Sequence, residues 1–134
     1  EIALTQALYR QKNIEIILQN DPDLPTINID KNKIIQVIVN LINNAIDASY
    51  NNSKIEVNIY GEKDNLVLSV KDYGVGIKEE DKSKIYNDFY TNKETGTGLG
   101  LSVCRMILKE FNAELSFESK EFEGSCFFVK FPLN

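Results

Sequence analysis

Between Lys31 and Ser49 the apolar residues Ile34, Ile35, Ile38, Leu41, Ile42, Ala45 and Ile46 recur at intervals of three and four. Residues so spaced share one helical face, so the pattern predicts an amphipathic helix whose stripe packs on a sheet. Asp30, directly ahead, is a short acceptor of the kind that caps a helix N-terminus. Elsewhere the period drops to two. Lys54 to Tyr60 and Asn65 to Lys71 alternate like strands, with Gly61-Glu62-Lys63-Asp64 as the hairpin turn between them. Ala113 to Ser119 and Ser125 to Phe131 read as a closing hairpin with Glu123-Gly124 in its turn. Asn13 to Leu18 predicts a strand ended by Asp21-Pro22-Asp23, and Ile27 to Ile29 a second, shorter one.

Helical spacing returns over residues 99 to 111, and Glu1 to Gln11 reads as a short helix or the tail of a longer one. From Asp72 to Thr97 periodicity fails, apart from a short helix expected at Glu79 to Tyr86, and a polar, glycine-bearing stretch of that length reads as a functional lid. About five strands and three main helices, each helix with a single apolar face, make a two-layer α+β sandwich: a mixed sheet with the helices on one side. No repeat or linker divides residues 1 to 134, so the expectation is a single domain.

Charge and residue usage narrow the chemistry. A net charge of −5 disfavours duplex DNA or an anionic membrane as partner, so a polyanionic ligand would have to be held locally by backbone N–H groups, a metal and a few lysines. Cys104 and Cys126 form no CxxC pair and read as two buried thiols in a reducing compartment. Neither an apolar run of membrane-spanning length nor a signal-peptide pattern is present, which predicts a cytoplasmic domain. Histidine is absent from the chain. That removes imidazole general bases, histidine metal ligands and histidine phosphoacceptors from consideration within it.

Three segments carry candidate chemistry. In Gly96-Thr97-Gly98-Leu99-Gly100-Leu101-Ser102, alternating glycines run into a helix, either to let backbone N–H groups converge on a phosphate or simply to make a tight connection. On the helix from Lys31, the residues Gln36, Asn40, Asn44 and Asp47 share a narrow arc opposite the apolar stripe. Such an arc is usually a solvated face. Asparagine is a poor helix former, however, and this helix holds Asn40, Asn43 and Asn44, whose amide oxygens suit a hard cation. Asp72-Tyr73-Gly74-Val75-Gly76 follows a strand, and is either an ordinary turn or a carboxylate placed to accept from the amino group of a base while glycine backbone closes over it.

Taken in order, Asn40-x-x-x-Asn44-Ala45, Asp72-x-Gly74-x-Gly76 and Gly96-x-Gly98-Leu99-Gly100-Leu101 resemble the N, G1 and G2 boxes of the catalytic, ATP-binding domain of sensor histidine kinases. The wider group includes DNA gyrase, a heat-shock chaperone and the MutL mismatch-repair ATPases. Asp88-Phe89-Tyr90-Thr91-Asn92-Lys93 is similar to the family's F box. The resemblance implies a Bergerat-type fold binding ATP and Mg²⁺. It implies that Asn44 coordinates the metal, Asn40 supports metal or phosphate, and Asp72 bonds the exocyclic amine of adenine. Gly74 and Gly76 would bring backbone against the base and hinge the lid. Gly96, Thr97, Gly98, Leu99 and Gly100 would cradle the phosphates, with a lid charge from Lys93.

Three positions depart from the family pattern. Asn87-Asp88 stand where many members have Glu-Pro, Asp47 where many have lysine, and Asn40 where the hydrolysing members keep a catalytic glutamate. An amide cannot activate water as a base, so hydrolysis for its own sake is disfavoured. The implied partners are an upstream dimerisation domain carrying the phosphoacceptor histidine, into which residues 1 to 11 would connect, and a downstream response regulator. The rivals are a nucleotide-sensing regulatory module, an autonomous ATPase and a serine kinase acting on an anti-sigma partner.

Overall fold

The computed structural model describes residues 13–24, 29–85 and 100–133. Five strands form one sheet in the order β1-β2-β3-β5-β4: β1 (Glu15–Asn20), β2 (Lys54–Glu62), β3 (Asn65–Asp72), β4 (Glu114–Lys120) and β5 (Gly124–Pro132). Only β1 and β2 are parallel, with Glu15 opposite Lys54, and the other pairs are antiparallel. The sheet is mixed, as the pattern predicted. Among the described residues two α-helices accompany it, α1 (Lys31–Ala48) and α2 (Gly100–Lys109). The expected N-terminal helix and most of the Ile27–Ile29 strand lie outside the described residues, and Ile29 itself is in no strand.

Alternation makes the core. Ile55 and Val57 of β2, Leu68 and Val70 of β3, and Phe127, Val129 and Phe131 of β5 are buried in one cluster with Leu41, Ala45 and Ile46 of α1 and Leu108 of α2. β3 sits mid-sheet, and its run from Val67 to Ser69 is covered on both faces.

α1 begins where Asp30 accepts from the N–H groups of Asn32 and Lys33 at 3.0 and 3.4 Å, and it ends at Ala48, with Ser49 as its cap. Val37, outside the apolar stripe read from sequence, is 1% exposed because α1 is covered by α2 as well as by the sheet. α2 stops before the predicted residue 111. Asn112 turns left-handed at φ 55°, and the N–H groups of Asn112 and Ala113 close back on the carbonyls of Lys109 and Leu108.

Turns differ most from expectation. The β2–β3 hairpin turns on Lys63 and Asp64 alone, Gly61 and Glu62 remaining in the ladder. Between β4 and β5 the turn is Glu121 to Glu123, while Gly124 already opens the strand. At its centre Phe122 is left-handed (φ 67°) and 73% exposed. A bulky residue there carries strain with little burial in return, so Phe122→Gly is expected to raise the melting temperature, by the equivalent of up to about 1 kcal/mol. Thermal denaturation followed by circular dichroism tests this, and a lower melting temperature would count against it.

The stretch after β3, expected as a lid from residue 72, is fixed to the fold at its start. Of the anticipated Glu79–Tyr86 helix, the described residues, which end at Ile85, form only a 3₁₀ turn at Glu79–Asp81. Lys82 Nζ bonds the carbonyl of Ser119 at 2.6 Å, and Ile85 is 2% exposed in the core. No helix among the described residues is long and apolar enough to cross a membrane.

Candidate functional site

Asp72 is the last residue of β3 and is 4% exposed. Burial pushes its carboxyl pKa up, against two N–H donors that favour the charged form. Those donors are Gly74 at 3.0 Å and Ser125 at 3.3 Å, and both bond Oδ1. Oδ2 is consumed by neither. A buried carboxylate with one oxygen fixed by backbone and the other unspent is equipped to accept a hydrogen bond from a ligand.

The loop that follows is clamped on both sides. Val75 donates to the carbonyl of Ala48 at 2.9 Å and accepts from the N–H of Phe122 at 2.6 Å, and Ile77 donates to Ser119 Oγ at 2.9 Å. A Cβ on Gly74 would lie 2.0 Å from the Ala48 carbonyl oxygen. Gly76, at φ 69°, would place one 2.1 Å from the Lys120 carbonyl oxygen. Both glycines are thus required by close approach within the protein: to the end of α1 in one case, to the β4–β5 hairpin in the other.

From Ala48, α1 leads away to the amides. At about 1.5 Å rise per residue, Asn44 and Asn40 lie roughly 6 and 12 Å back along its axis. Both are half-buried, whereas Gln36 and Asp47 of the same arc are exposed. Asn40 Nδ2 lies 3.7 Å from Cys104 Sγ, in the second turn of α2. Gly100, one turn earlier, begins that helix, with nothing within 4 Å of where its Cβ would stand. The middle of α1 at Asn40 is thereby brought against the N-terminal half of α2, its positive end. Beyond it, a groove of about 310 Å³ runs along α1, lined by Asn32, Ile35, Gln36, Val39 and Asn40.

Lys93, Gly96, Thr97, Gly98 and Leu99, with the Asp88–Lys93 segment, lie outside the described residues. Among the described residues no three Cys, Asp or Glu side chains converge as a metal cluster. A divalent cation beside Asn40 and Asn44 would thus take amide oxygens from α1 and complete its shell from phosphates and water, a donor set that fits magnesium.

A profile of the histidine kinase-, DNA gyrase B- and HSP90-like ATPases matches residues 29–134. The chain belongs to this ATPase family. Sporulation kinase E of Bacillus subtilis (strain 168) is 35% identical over 133 residues, covering 98% of this chain and 18% of the kinase. Sporulation kinase C of the same organism is 42% identical over 107 residues, or 80% of this chain and 25% of that one. The chain therefore spans a quarter or less of these relatives. Among solved structures, the catalytic domain of histidine kinase ThkA superposes with a TM-score of 0.80 at 34% identity, covering 98% of this chain and 91% of that domain. ThkA in complex with the response regulator protein TrrA matches with a TM-score of 0.80 at 32% identity, covering 98% of this chain and 38% of that one. The sandwich fold and the histidine-kinase resemblance of the ATPase segments both hold.

Sequence reasoning missed the braces of this candidate site. Ala48, Ser125 and Phe122 contribute through backbone groups, which carry no residue signature. Cys104 was read as one of two buried thiols. It is buried against Asn40, while Cys126 is only partly covered. Burial pushes both thiols up to about 11, and for Cys104 the Asn40 amide pulls the other way.

Proposed function

We propose that this chain is the catalytic domain of a two-component sensor histidine kinase. In this reading it binds Mg-ATP and presents the γ-phosphate to a histidine on a separate, upstream dimerisation domain. The observation that carries the proposal is the C-terminal half of α1, packed at its end on the loop of buried Asp72 and touching the second turn of α2 at Asn40, in its middle. Membership of an ATPase family and the kinase names of the relatives support it.

Oδ2 of Asp72 would accept from the exocyclic amine of adenine. Guanine presents a carbonyl there, and two acceptors facing each other disfavour it. Asn44 and Asn40 would offer amide oxygens to magnesium, which when bound neutralises charge on the transferred phosphoryl group. Gly96, Thr97, Gly98 and Leu99, which precede α2 in sequence, and Gly100, which opens it, would hold phosphates with backbone N–H groups, and Lys93 would add a positive charge. The chain's own contribution is positioning and electrostatics, for which an amide at Asn40 suffices. With no histidine among its 134 residues, the acceptor lies outside the chain. Residues 1 to 11 would lead from the acceptor domain, and the phosphoryl group would pass on to a response regulator, the class of protein that ThkA is seen bound to. The setting is cytoplasmic.

Incubation with ATP labelled on the γ-phosphate is the test. The chain alone should yield no acid-labile phosphoprotein. Adding the parent protein's histidine-bearing domain should yield one, and Asn44→Ala should slow that transfer roughly a hundredfold. ATP binding without transfer to the added domain would instead favour a nucleotide-sensing module.

A further inference from the structure

Cys104 is 0% exposed and meets α1 through two contacts. Its Sγ lies 3.7 Å from Asn40 Nδ2 and 3.9 Å from the carbonyl oxygen of Val37. A neutral thiol has one proton to give and can accept weakly at sulfur. The Val37 carbonyl can only accept, so the proton goes there. What remains toward Asn40 is the accepting side of the sulfur, which an amide NH₂ complements and an amide oxygen does not. The Asn40 side chain is thereby held with Nδ2 turned inward and Oδ1 on its outward branch.

We propose that Cys104 is a positioning residue for the nucleotide site: fixed by the Val37 carbonyl, its thiol orients the Asn40 amide so that oxygen, not NH₂, faces the groove along α1. The orientation decides the chemistry Asn40 can offer. An outward oxygen suits a hard cation or a water bound to one, whereas an outward NH₂ would oppose either. The inference rests on the reading of Asn40 as a site residue, and its test separates the two.

Mg-ATP affinity is measured by titration calorimetry for the wild type, Cys104→Val, Cys104→Ser, Asn40→Ala and the Cys104→Val/Asn40→Ala double variant. Valine conserves apolar volume but removes donor and acceptor, so Cys104→Val should weaken binding about twofold to tenfold. Serine keeps both functions and should restore most of the loss. In the Asn40→Ala background, Cys104→Val should cost nothing further, because its effect passes through that amide. Equal weakening in both backgrounds makes Cys104 a packing residue and overturns the proposal, as does wild-type affinity in Cys104→Val. Wild-type affinity in Asn40→Ala would instead refute the reading of Asn40 itself, and the proposal with it. A measurement on the wild type is independent of how the variants fold. Nuclear Overhauser contacts are expected between the Asn40 side-chain NH₂ and the Cys104 β-protons, and their absence overturns the orientation.

Discussion

Gly74→Ala is expected to damage the described fold severely for the addition of a single methyl group. The new Cβ would stand 2.0 Å from the carbonyl oxygen of Ala48, 2.5 Å from its carbon and 2.9 Å from Ser49 Cα. All three are backbone atoms at the end of a hydrogen-bonded helix, so none can swing aside as a side-chain tip would. The loop must retreat instead. In doing so it loses the Val75 bond to Ala48 and the Gly74 bond to Asp72, at 2.9 and 3.0 Å. Overpacking with broken buried hydrogen bonds predicts a loss of about 2–4 kcal/mol, together with weakened Mg-ATP binding as the Asp72 carboxylate loses its seat. Gly61→Ala is the matched control, since nothing lies within 4 Å of its added methyl. Chemical denaturation of the two variants should separate them clearly, and similar midpoints would refute the clamp.

Asp72→Asn should move binding and stability in opposite directions. Because burial raises the carboxyl pKa in the folded state, the favourable contribution belongs to the protonated form. It is complete below the unfolded carboxylate value and lost as pH rises through the raised folded one. At neutral pH the charge is therefore a net cost to folding. Asparagine has nearly the same shape and no charge, and its Oδ1 can still accept from Gly74 and Ser125. A melting temperature at or above that of the wild type is expected at neutral pH, with the difference shrinking as pH falls toward the carboxylate range. Mg-ATP affinity should drop about tenfold to a hundredfold, the loss of a charged acceptor, and the preference for adenine over guanine should relax. Wild-type affinity with full adenine preference would remove Asp72 from the base site.

How much of this was legible follows from where each signal resides. α1 was readable because its cap, Asp30, and its stripe are local, whereas Val37 was not, its burial depending on a helix that arrives from far along the chain. Strand alternation located all five strands to within a few residues, since a half-buried sheet enforces it. The β4–β5 turn holds Glu123 as read, but Gly124, also read into it, opens β5, and Phe122 takes a left-handed position in the turn. At the site, Asp72, Gly74, Asn40 and Asn44 were visible as residue types. The reason for Gly74 was not, because the atom it must clear is a backbone oxygen of α1. Cys104 looked like any core thiol until the fold placed it against Asn40.

The anchoring of α1 at its C-terminal end and again at its middle, at Asn40, carries a further consequence. On the proposed reading, a single rod of regular hydrogen bonds fixes the separation between the base-recognising carboxylate and the phosphate end, so the site works as a gauge of ligand length. Deleting one residue between Asn44 and Ala48 would rotate the amides by about a hundred degrees relative to Asp72 while shortening the gauge by only about 1.5 Å. Angular register, more than reach, is what this helix has to keep, and conformational change during turnover has to pass around α1 rather than through it.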